Sequence, residues 1–152
     1  MALADQIIRR ITRRPPDIVI GGDEQPYLRR WHVLPRNRFF NIYLHQFLRS
    51  DDDRALHDHP WVNVSILLKG HYVEHLPGDD LRFRSRGQVI FRRSGKISHR
   101  IEIITGIPVW TLFITGPRYR MWGFHCPQGW KPYYEFLEKY EDAHSTKGCN
   151  DD

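Results

Sequence analysis

The chain has little cysteine and no long apolar run. Its two cysteines, Cys126 and Cys149, are too few and too far apart in sequence to predict a disulfide framework, and we expect Cys126 to be a small buried residue. No apolar stretch approaches the length that crosses a bilayer, and the N-terminal arginines follow the apolar residues, which is not the order of a signal peptide. These absences predict a protein of the reducing cytoplasm with no membrane partner.

Motifs of several common protein classes are also missing. The sequence contains no glycine-rich phosphate loop, no G-x-S-x-G and no CxxC pair. The formal net charge is +5 at pH 7, but no helix-turn-helix, zinc-finger or RNP signature accompanies it. We therefore do not expect nucleic acid as a partner, and the excess of arginine fits solubility or a small anionic ligand.

Short strands separated by turn residues fill most of the 152-residue chain, which is the length of one domain. β-branched and aromatic runs at 39–48, 62–68 and 109–114, with Gly and Pro between many of the segments, are typical of an all-β sandwich or barrel. The pattern divides the chain into an N-terminal helix and linker (1–26), a barrel core (27–120), and an aromatic loop, C-terminal helix and tail (121–152).

Two helices are predicted at the ends of the chain. Residues 3–14 form an amphipathic pattern that we expect to pack against the domain and not on a membrane. After an aromatic loop at 122–130, four apolar residues have helical spacing and predict a C-terminal helix. These four are Tyr133, Phe136, Leu137 and Tyr140.

The most informative feature is a pair of histidines spaced for a strand. His57 and His59 point the same way only where side chains alternate faces along an extended chain. A third histidine from a distant strand, His99, would complete a three-nitrogen site for one divalent metal ion. By the same alternation Asp58 points away from that site. On the other side of the strand it would cap a loop or pair with Arg54. The spacing predicts a metal-centred pocket.

The order of these residues resembles the two sequence motifs of the cupin superfamily. The first motif is matched by His57, His59 and Gly70, and the second by Gly87, Gly95 and His99. The resemblance spans roughly residues 39–115. It implies an all-β fold, a cupin-like double-stranded β-helix or jelly-roll barrel with short N- and C-terminal helices. It also implies a homodimer, because cupins often pair their barrels through edge strands and termini.

The chain departs from the cupin pattern at Asn63, which lies at or beside the position of the family's glutamate ligand, and at Arg93 and Ile103. Glu74 would replace the missing carboxylate if its strand faced the metal, although a solvent-facing or salt-bridged Glu74 is favoured.

Other charged and aromatic residues are candidates for the pocket. His45 and Tyr43 lie on one predicted strand and could reach it. Arg93 and Arg100 flank the second motif and are candidates for binding a substrate anion. A further row of arginines is expected to face solvent along a strand edge. Its members are Arg82, Arg84 and Arg86.

Three neutral imidazoles leave the charge of a divalent ion uncompensated, which favours an anionic substrate. Iron held by three histidines resembles the thiol dioxygenases of the cupin superfamily. This resemblance implies Fe(II), with Zn, Ni or Mn as alternatives, in a small metalloenzyme of dioxygenase type. Two other functions stay open: a metal- or ligand-binding module without turnover, and a sugar-nucleotide isomerase or epimerase. Tyr43, Tyr72 and His45 are the candidate bases for the isomerase. No catalytic residue is assigned.

Overall fold

The computed structural model describes residues 3–22, 24–51, 55–137 and 149. Within these ranges the chain forms mostly strands, with one short helix near each end. The helices are α1 (Leu3–Ile11) and α2 (Tyr133–Phe136). The strands are β1 (Ile18–Ile20), β2 (Leu28–His32), β3 (Asn41–Phe47), β4 (Leu56–His57), β5 (Asn63–Lys69), β6 (His71–Leu76), β7 (Asp80–Ser85), β8 (Val89–Arg92), β9 (Arg100–Glu102), β10 (Val109–Thr115), β11 (Gly123–Cys126) and β12 (Gly129–Pro132).

The strands form three antiparallel sheets. The largest has six strands in the order β1-β2-β3-β10-β5-β8, and two smaller sheets have the orders β12-β11-β4 and β7-β6-β9. Some strands that are neighbours in the sheet, such as β3 and β10, are distant in sequence, so the sheet is formed in part by long-range pairing. The all-β class predicted from the sequence is confirmed.

Helix α1 covers the outer face of the six-stranded sheet. Its apolar side chains, Ala4, Ile7, Ile8 and Ile11, pack against the buried Trp31, Leu44 and Leu68. The prediction that this helix packs against the domain is confirmed. It ends at Ile11 and not at residue 14, so three residues separate the end of the helix from the Pro15-Pro16 pair, which cannot continue it. Neither described helix is long and apolar enough to span a membrane.

The aromatic segment after the barrel is a hairpin and not the loop predicted from the sequence. β11 and β12 pair across a turn in which Gly129 has a φ of +130°. β11 also pairs with β4, which brings Phe124 opposite His57. The C-terminal helix is a single turn, and Tyr140, predicted to continue it, lies outside the described residues. Residues 123–132 are therefore part of the sheet framework around His57.

Cys126 and Cys149 form a disulfide, with their Cα atoms 5.5 Å apart. This corrects the expectation that these cysteines are unlinked, which was based on their separation of 23 residues in sequence. Spacing along a chain does not exclude proximity in the fold, because connectivity between cysteines cannot be deduced from sequence alone. Disulfides are typical of oxidising compartments. The cytoplasmic location stays a prediction, and this bond counts against it.

Candidate metal centre

Backbone hydrogen bonds join the two segments that carry the histidines. His57 and His99 exchange both of their backbone N–H···O bonds at 2.9 Å, and the N–H of His59 donates to the carbonyl of Gly95 at 2.9 Å. A Cβ at Gly95 would lie 2.3 Å from the carbonyl oxygen of His59, so this approach requires glycine. The local backbone therefore holds residues 57–59 against residues 95–99 without help from a ligand.

This arrangement brings His57, His59 and His99 together. One ring nitrogen from each lies within 4.8 Å of the others, and Nε2 of His59 is 2.9 Å from Nε2 of His99. The ring centroids of the three pairs are 4.9 to 5.3 Å apart. The geometric grouping predicted from sequence spacing is present, with His57 and His59 on the same side of the chain as alternation requires.

Glu74 orients His99 from behind. Its Oε1 atom is 3.1 Å from Nδ1 of His99. A carboxylate only accepts hydrogen bonds, so this contact places the ring proton on Nδ1 and leaves the lone pair of Nε2 directed at the other two histidines. Nη2 of Arg92 is also near Nδ1, at 3.2 Å, but it hydrogen bonds to Glu74 itself. Donation from His99 to Glu74 is compatible with both contacts, because the carboxylate can accept from the cationic Arg92 and from the neutral imidazole N–H.

Two arginines balance the buried charge of Glu74, which is only 1% exposed. Arg92 and Arg84 both donate to its carboxylate, the latter at 2.7 Å. Nη1 of Arg92 also donates to Oδ1 of Asn63 at 3.3 Å. Burial raises the pKa of Glu74, but the hydrogen bond from His99 and the charge of Arg92 outweigh it and hold that pKa well below its usual value. Glu74 is therefore an ionised anchor of the site.

Two aspartates hold the segment around His57 and His59. Oδ2 of Asp51 lies 3.9 Å from Nδ1 of His57, and Asp51 also accepts hydrogen bonds from Tyr27 and from the backbone of Ile101. Asp58 points away from the cluster, as predicted, and its side chain is buried against the hairpin. Its partners there are the backbone N–H of Gly123, Arg120, His125 and Trp130. The suggested partner Arg54 lies outside the described residues.

Burial keeps the three histidines neutral. It lowers the pKa of each, and for His99 the nearby charge of Arg92 assists, bringing the pKa to about 3. For His59 the neighbouring histidines add to the effect of burial. Neutral imidazole is the form that binds a metal ion. The cluster thus presents available lone pairs at neutral pH.

The histidines line one side of a cavity of about 210 Å³. Ligand pockets for drug-sized molecules have volumes of about 300 to 1,000 Å³, so this cavity suits a smaller molecule. Aromatic side chains make up much of the wall, and the charged lining residues are Arg30, Asp51 and Arg92. The aromatic members are Tyr27, Phe47, Trp61, Tyr72, Phe113, Trp122 and Phe124, with His45 beside them.

The other residues suggested by the sequence occupy varied positions. His45 lines the cavity, whereas Tyr43 and Asn63 are buried without lining it. Glu74, expected to be solvent-facing or salt-bridged, is salt-bridged to Arg84 and Arg92. It does not face solvent but is buried behind His99, because its side of β6 faces inward together with Tyr72.

The arginines proposed for anion binding do not reach the cavity. Arg93 is exposed, and Arg100 contacts Nδ1 of His75 at 3.1 Å. Of the row expected to face solvent, Arg82 and Arg86 do so, but Arg84 reaches Glu74.

Sequence reasoning missed the arginines that do line the cavity. Along β8, Ile90 and Arg92 are buried while Val89 and Phe91 are exposed, so alternation places Arg92 inward and the next residue, Arg93, outward. Arg30 is inward on β2 for the same reason, beside the outward and buried Trp31. The signal was present in the alternation of β8, but the motif comparison directed attention to the adjacent position.

No protein-family model matches the chain, and no curated protein sequence matches it. Solved structures do resemble it. An uncharacterized conserved protein with a double-stranded β-helix domain from Klebsiella pneumoniae is 11% identical, with a TM-score of 0.54 over 82% of this chain and 95% of that one. The cupin domain of Schizosaccharomyces pombe Cnp3 is 11% identical, with a TM-score of 0.51 over 61% and 66%.

The DMSP lyase DddQ from Ruegeria pomeroyi is also similar, at 16% identity and a TM-score of 0.50 over 64% of this chain. The match spans only 50% of the length of that lyase. At these identities the likeness concerns the fold. The chain has the cupin double-stranded β-helix fold that the sequence motifs implied.

Proposed function

We propose that the chain binds one divalent metal ion through His57, His59 and His99 and acts as a small metalloenzyme of dioxygenase type on a small anionic substrate. The observation that carries this proposal is the convergence of three neutral ring nitrogens within 4.8 Å on the wall of a cavity. Backbone bonds hold the two histidine segments together, and Glu74 orients the ring of His99, both without a ligand, as a preorganised site requires.

The donor set fits a borderline transition metal. Imidazole nitrogens suit Zn, Cu, Fe and Ni, whereas Mg and Ca prefer oxygen ligands. When bound, Fe(II) would supply redox chemistry with O2, and Zn(II) would supply Lewis acidity alone. We favour Fe(II), with Zn, Ni and Mn as alternatives.

The charge around the cavity favours an anionic substrate. Three neutral histidines leave both charges of a divalent ion uncompensated, and Arg30 and Arg92 also line the cavity. Glu74 offsets Arg92 from behind, and Asp51 is the acidic member of the lining. A small carboxylate or similar anion would complete the charge balance at this partly buried site, where charges interact more strongly than in bulk water.

The proton-transfer groups around the cavity favour oxidation over isomerisation or elimination. Nε2 of His45 already accepts a hydrogen bond from Arg30, so its lone pair is not available as a base. Burial and the charge of Glu74 raise the pKa of Tyr72 to about 12, so its hydroxyl stays protonated at neutral pH and no phenolate is available as a base. Tyr43 does not line the cavity. Oxidation by a metal ion and a co-substrate depends less on proton transfer by side chains.

The homodimer inferred from the resemblance stays a prediction.

The first experiment is elemental analysis of protein purified without chelator. We expect near-stoichiometric iron, zinc, nickel or manganese in the wild type and its loss in His59→Ala and His99→Ala. His71→Ala is the matched control, because His71 contacts Phe83 away from the cluster and its loss should leave the metal content unchanged. Protein that is metal-free and takes up neither Fe(II) nor Zn(II) anaerobically would contradict the proposal.

A measurement of oxygen uptake distinguishes an enzyme from a metal-binding module without turnover. The shortage of proton-transfer groups is compatible with either function. Iron-loaded protein is mixed with a panel of small carboxylates in an oxygen electrode. We expect at least one carboxylate to stimulate oxygen consumption, and His99→Ala to abolish it. Stoichiometric metal with tight carboxylate binding and no oxygen uptake would instead identify a binding module.

A further inference from the structure

Two side chains outside the histidine cluster form a second polar position on the cavity wall. Arg30 on β2 and His45 on β3 are register partners, and Nε of Arg30 donates to Nε2 of His45 at 2.9 Å. Both side chains line the cavity, and neither belongs to the three-histidine cluster. They therefore place polar groups on the inner face of the six-stranded sheet. Binding of a metal ion by the three histidines does not require these two side chains.

The contact with Arg30 fixes the tautomer of His45. Arginine donates hydrogen bonds and does not accept them, so Nε2 of His45 carries a lone pair and the proton of the neutral ring lies on Nδ1. Burial, assisted by the charge of Arg30, lowers the pKa of His45 well below its usual value and keeps the ring neutral. No described residue accepts a hydrogen bond from Nδ1. His45 thus brings to the cavity wall an N–H donor that has no acceptor among the described residues.

Aromatic contacts hold both groups in place. The His45 ring stacks with Tyr43 at 5.9 Å and with Phe113 at 5.2 Å. The guanidinium of Arg30 lies 5.0 Å from the centroid of the Tyr43 ring. These contacts fix the positions of the guanidinium and the imidazole, so an anion at this wall would meet a preset charge and a preset N–H donor.

The pair lies close to the proposed metal position. Phe113 contacts the His45 ring on one side and the ring of His59, at 5.9 Å, on another. The charge of Arg30 is near enough to contribute to the lowered pKa of His59. A single small molecule could therefore reach both the three-histidine cluster and the Arg30–His45 pair.

We propose that Arg30 and His45 bind a carboxylate group of the substrate, while another part of the same molecule reaches the three-histidine cluster. Arg30 supplies the positive charge and His45 donates from Nδ1. The carboxylate end follows from this pair alone, and only the metal end rests on the proposed function. The substrate class is a small organic acid that carries a second group able to ligate a metal ion.

Isothermal titration calorimetry with acetate, succinate and glutarate tests this assignment. Each acid is titrated into chelator-treated and Zn(II)-loaded protein, with succinamide and inorganic phosphate for comparison. We expect at least one acid to bind in the millimolar range or tighter, and succinamide not to bind. Arg30→Gln and His45→Phe should each weaken that acid about tenfold or more, as expected for loss of a charge-assisted hydrogen bond or its donor.

The matched control is Arg29→Gln. Arg29 precedes Arg30 on β2 and faces away from the cavity, so its replacement should change the affinity by no more than about twofold. If Arg30→Gln fails to fold, Arg30→Lys keeps the charge and removes the planar fork, and it should still weaken binding. Zinc content is measured for every variant and should match the wild type.

The outcomes separate this inference from the metal proposal. Absence of binding by all three acids, or equal binding by wild type and Arg30→Gln, would overturn the inference even if zinc binds. Phosphate binding tighter than every acid would overturn the carboxylate assignment. If the wild type takes up no metal but Arg30→Gln still weakens acid binding to metal-free protein, the inference stands and the metal proposal fails.

Discussion

The two faces of the six-stranded sheet differ in chemistry although the same strands form both. On the outer face, Trp31, Leu44 and Leu68 pack under α1 and form an apolar cluster. On the inner face, buried polar side chains surround or line the cavity. They include His45, Asn63, Ser65, Arg92, Thr111 and Thr115. Leu44 and His45 are adjacent in sequence and equally buried, yet they serve opposite faces. Alternation along one strand thus separates packing that stabilises the fold from groups that can do chemistry.

This difference predicts which property of the protein a substitution on each face should change. A buried apolar face loses stability in proportion to the contacts and volume removed. A buried polar face depends on complete hydrogen-bond networks, and removing one member leaves another unpaired. Substitutions on the two faces should therefore have separate effects on stability and on metal affinity.

Glu74→Gln should have the largest effect, because it leaves Arg92 and Arg84 without their shared carboxylate. Removing one partner of a buried ion pair costs about 3–5 kcal/mol of unfolding free energy. The same change loosens His99, and metal affinity should fall about 10- to 100-fold, as for other groups that orient a ligand. Urea denaturation and metal titration measure the two effects.

The control for this change is Glu102→Gln. Glu102 contacts His75 at 2.5 Å but its side chain is 46% exposed, so its loss should be small and should leave metal affinity unaltered. Wild-type stability in Glu74→Gln would show that the inner network contributes little to the fold.

Leu44→Ala tests the outer face. The side chain is fully buried between the sheet and α1, and a leucine-to-alanine change at such a site costs about 2–5 kcal/mol. Because Leu44 points away from the cavity, the affinity for metal should stay at the wild-type value. Denaturation and metal titration on one protein preparation check both statements. A loss of metal affinity in protein that is still folded would show that the two faces are coupled.

The features that depend on local alternation could be predicted from the sequence. The parity of His57, His59 and Asp58 was correct, and the predicted run at 109–114 is β10 to within one residue. These succeeded because the period of two is a property of the strand itself. The cupin-like order of histidines and glycines added which distant segment, at His99, lies beside the pair.

Features that depend on pairing between distant strands could not be predicted in this way. The inward side of β6 is set by its pairing with β7 and β9, where Glu74 stands opposite Ile101, and nothing local in the sequence fixes it. A shift of one residue in this pairing would exchange the two faces of β6, so the face of Glu74 depends on the register. The disulfide likewise required knowing where the hairpin end lies in the fold.

The dependence of the unfolding free energy on pH should show the smallest effect per residue. It distinguishes the two faces of the sheet without substitution of the metal ligands. His45, His59 and His99 have lowered pKa values because they are buried, that of His99 being about 3. The unfolded chain binds protons at these positions near pH 6.5 and the folded chain does not, so stability falls as the pH falls below that value. Between pH 7 and pH 6, each such histidine should lower the unfolding free energy of metal-free protein by about 0.7 kcal/mol. The low pKa of Glu74 acts in the same direction only nearer its unfolded value of 4.5, outside this window.

Variants on the two faces should respond differently to this pH change. Denaturation of chelator-treated protein gives the change in unfolding free energy between pH 7 and pH 6. This change should be smaller in His45→Phe than in the wild type, because the variant lacks one histidine whose pKa is lowered in the folded state. Leu44→Ala removes no titrating group, so it should be destabilised by the same amount at both pH values, and its pH difference should equal that of the wild type. An unchanged pH difference in His45→Phe would mean that His45 takes up a proton in the folded state at pH 6, and its neutral Nδ1–H form would then be wrong. A reduced difference in Leu44→Ala would mean that packing under α1 controls the burial of the inner histidines, so the two faces would not be energetically separate.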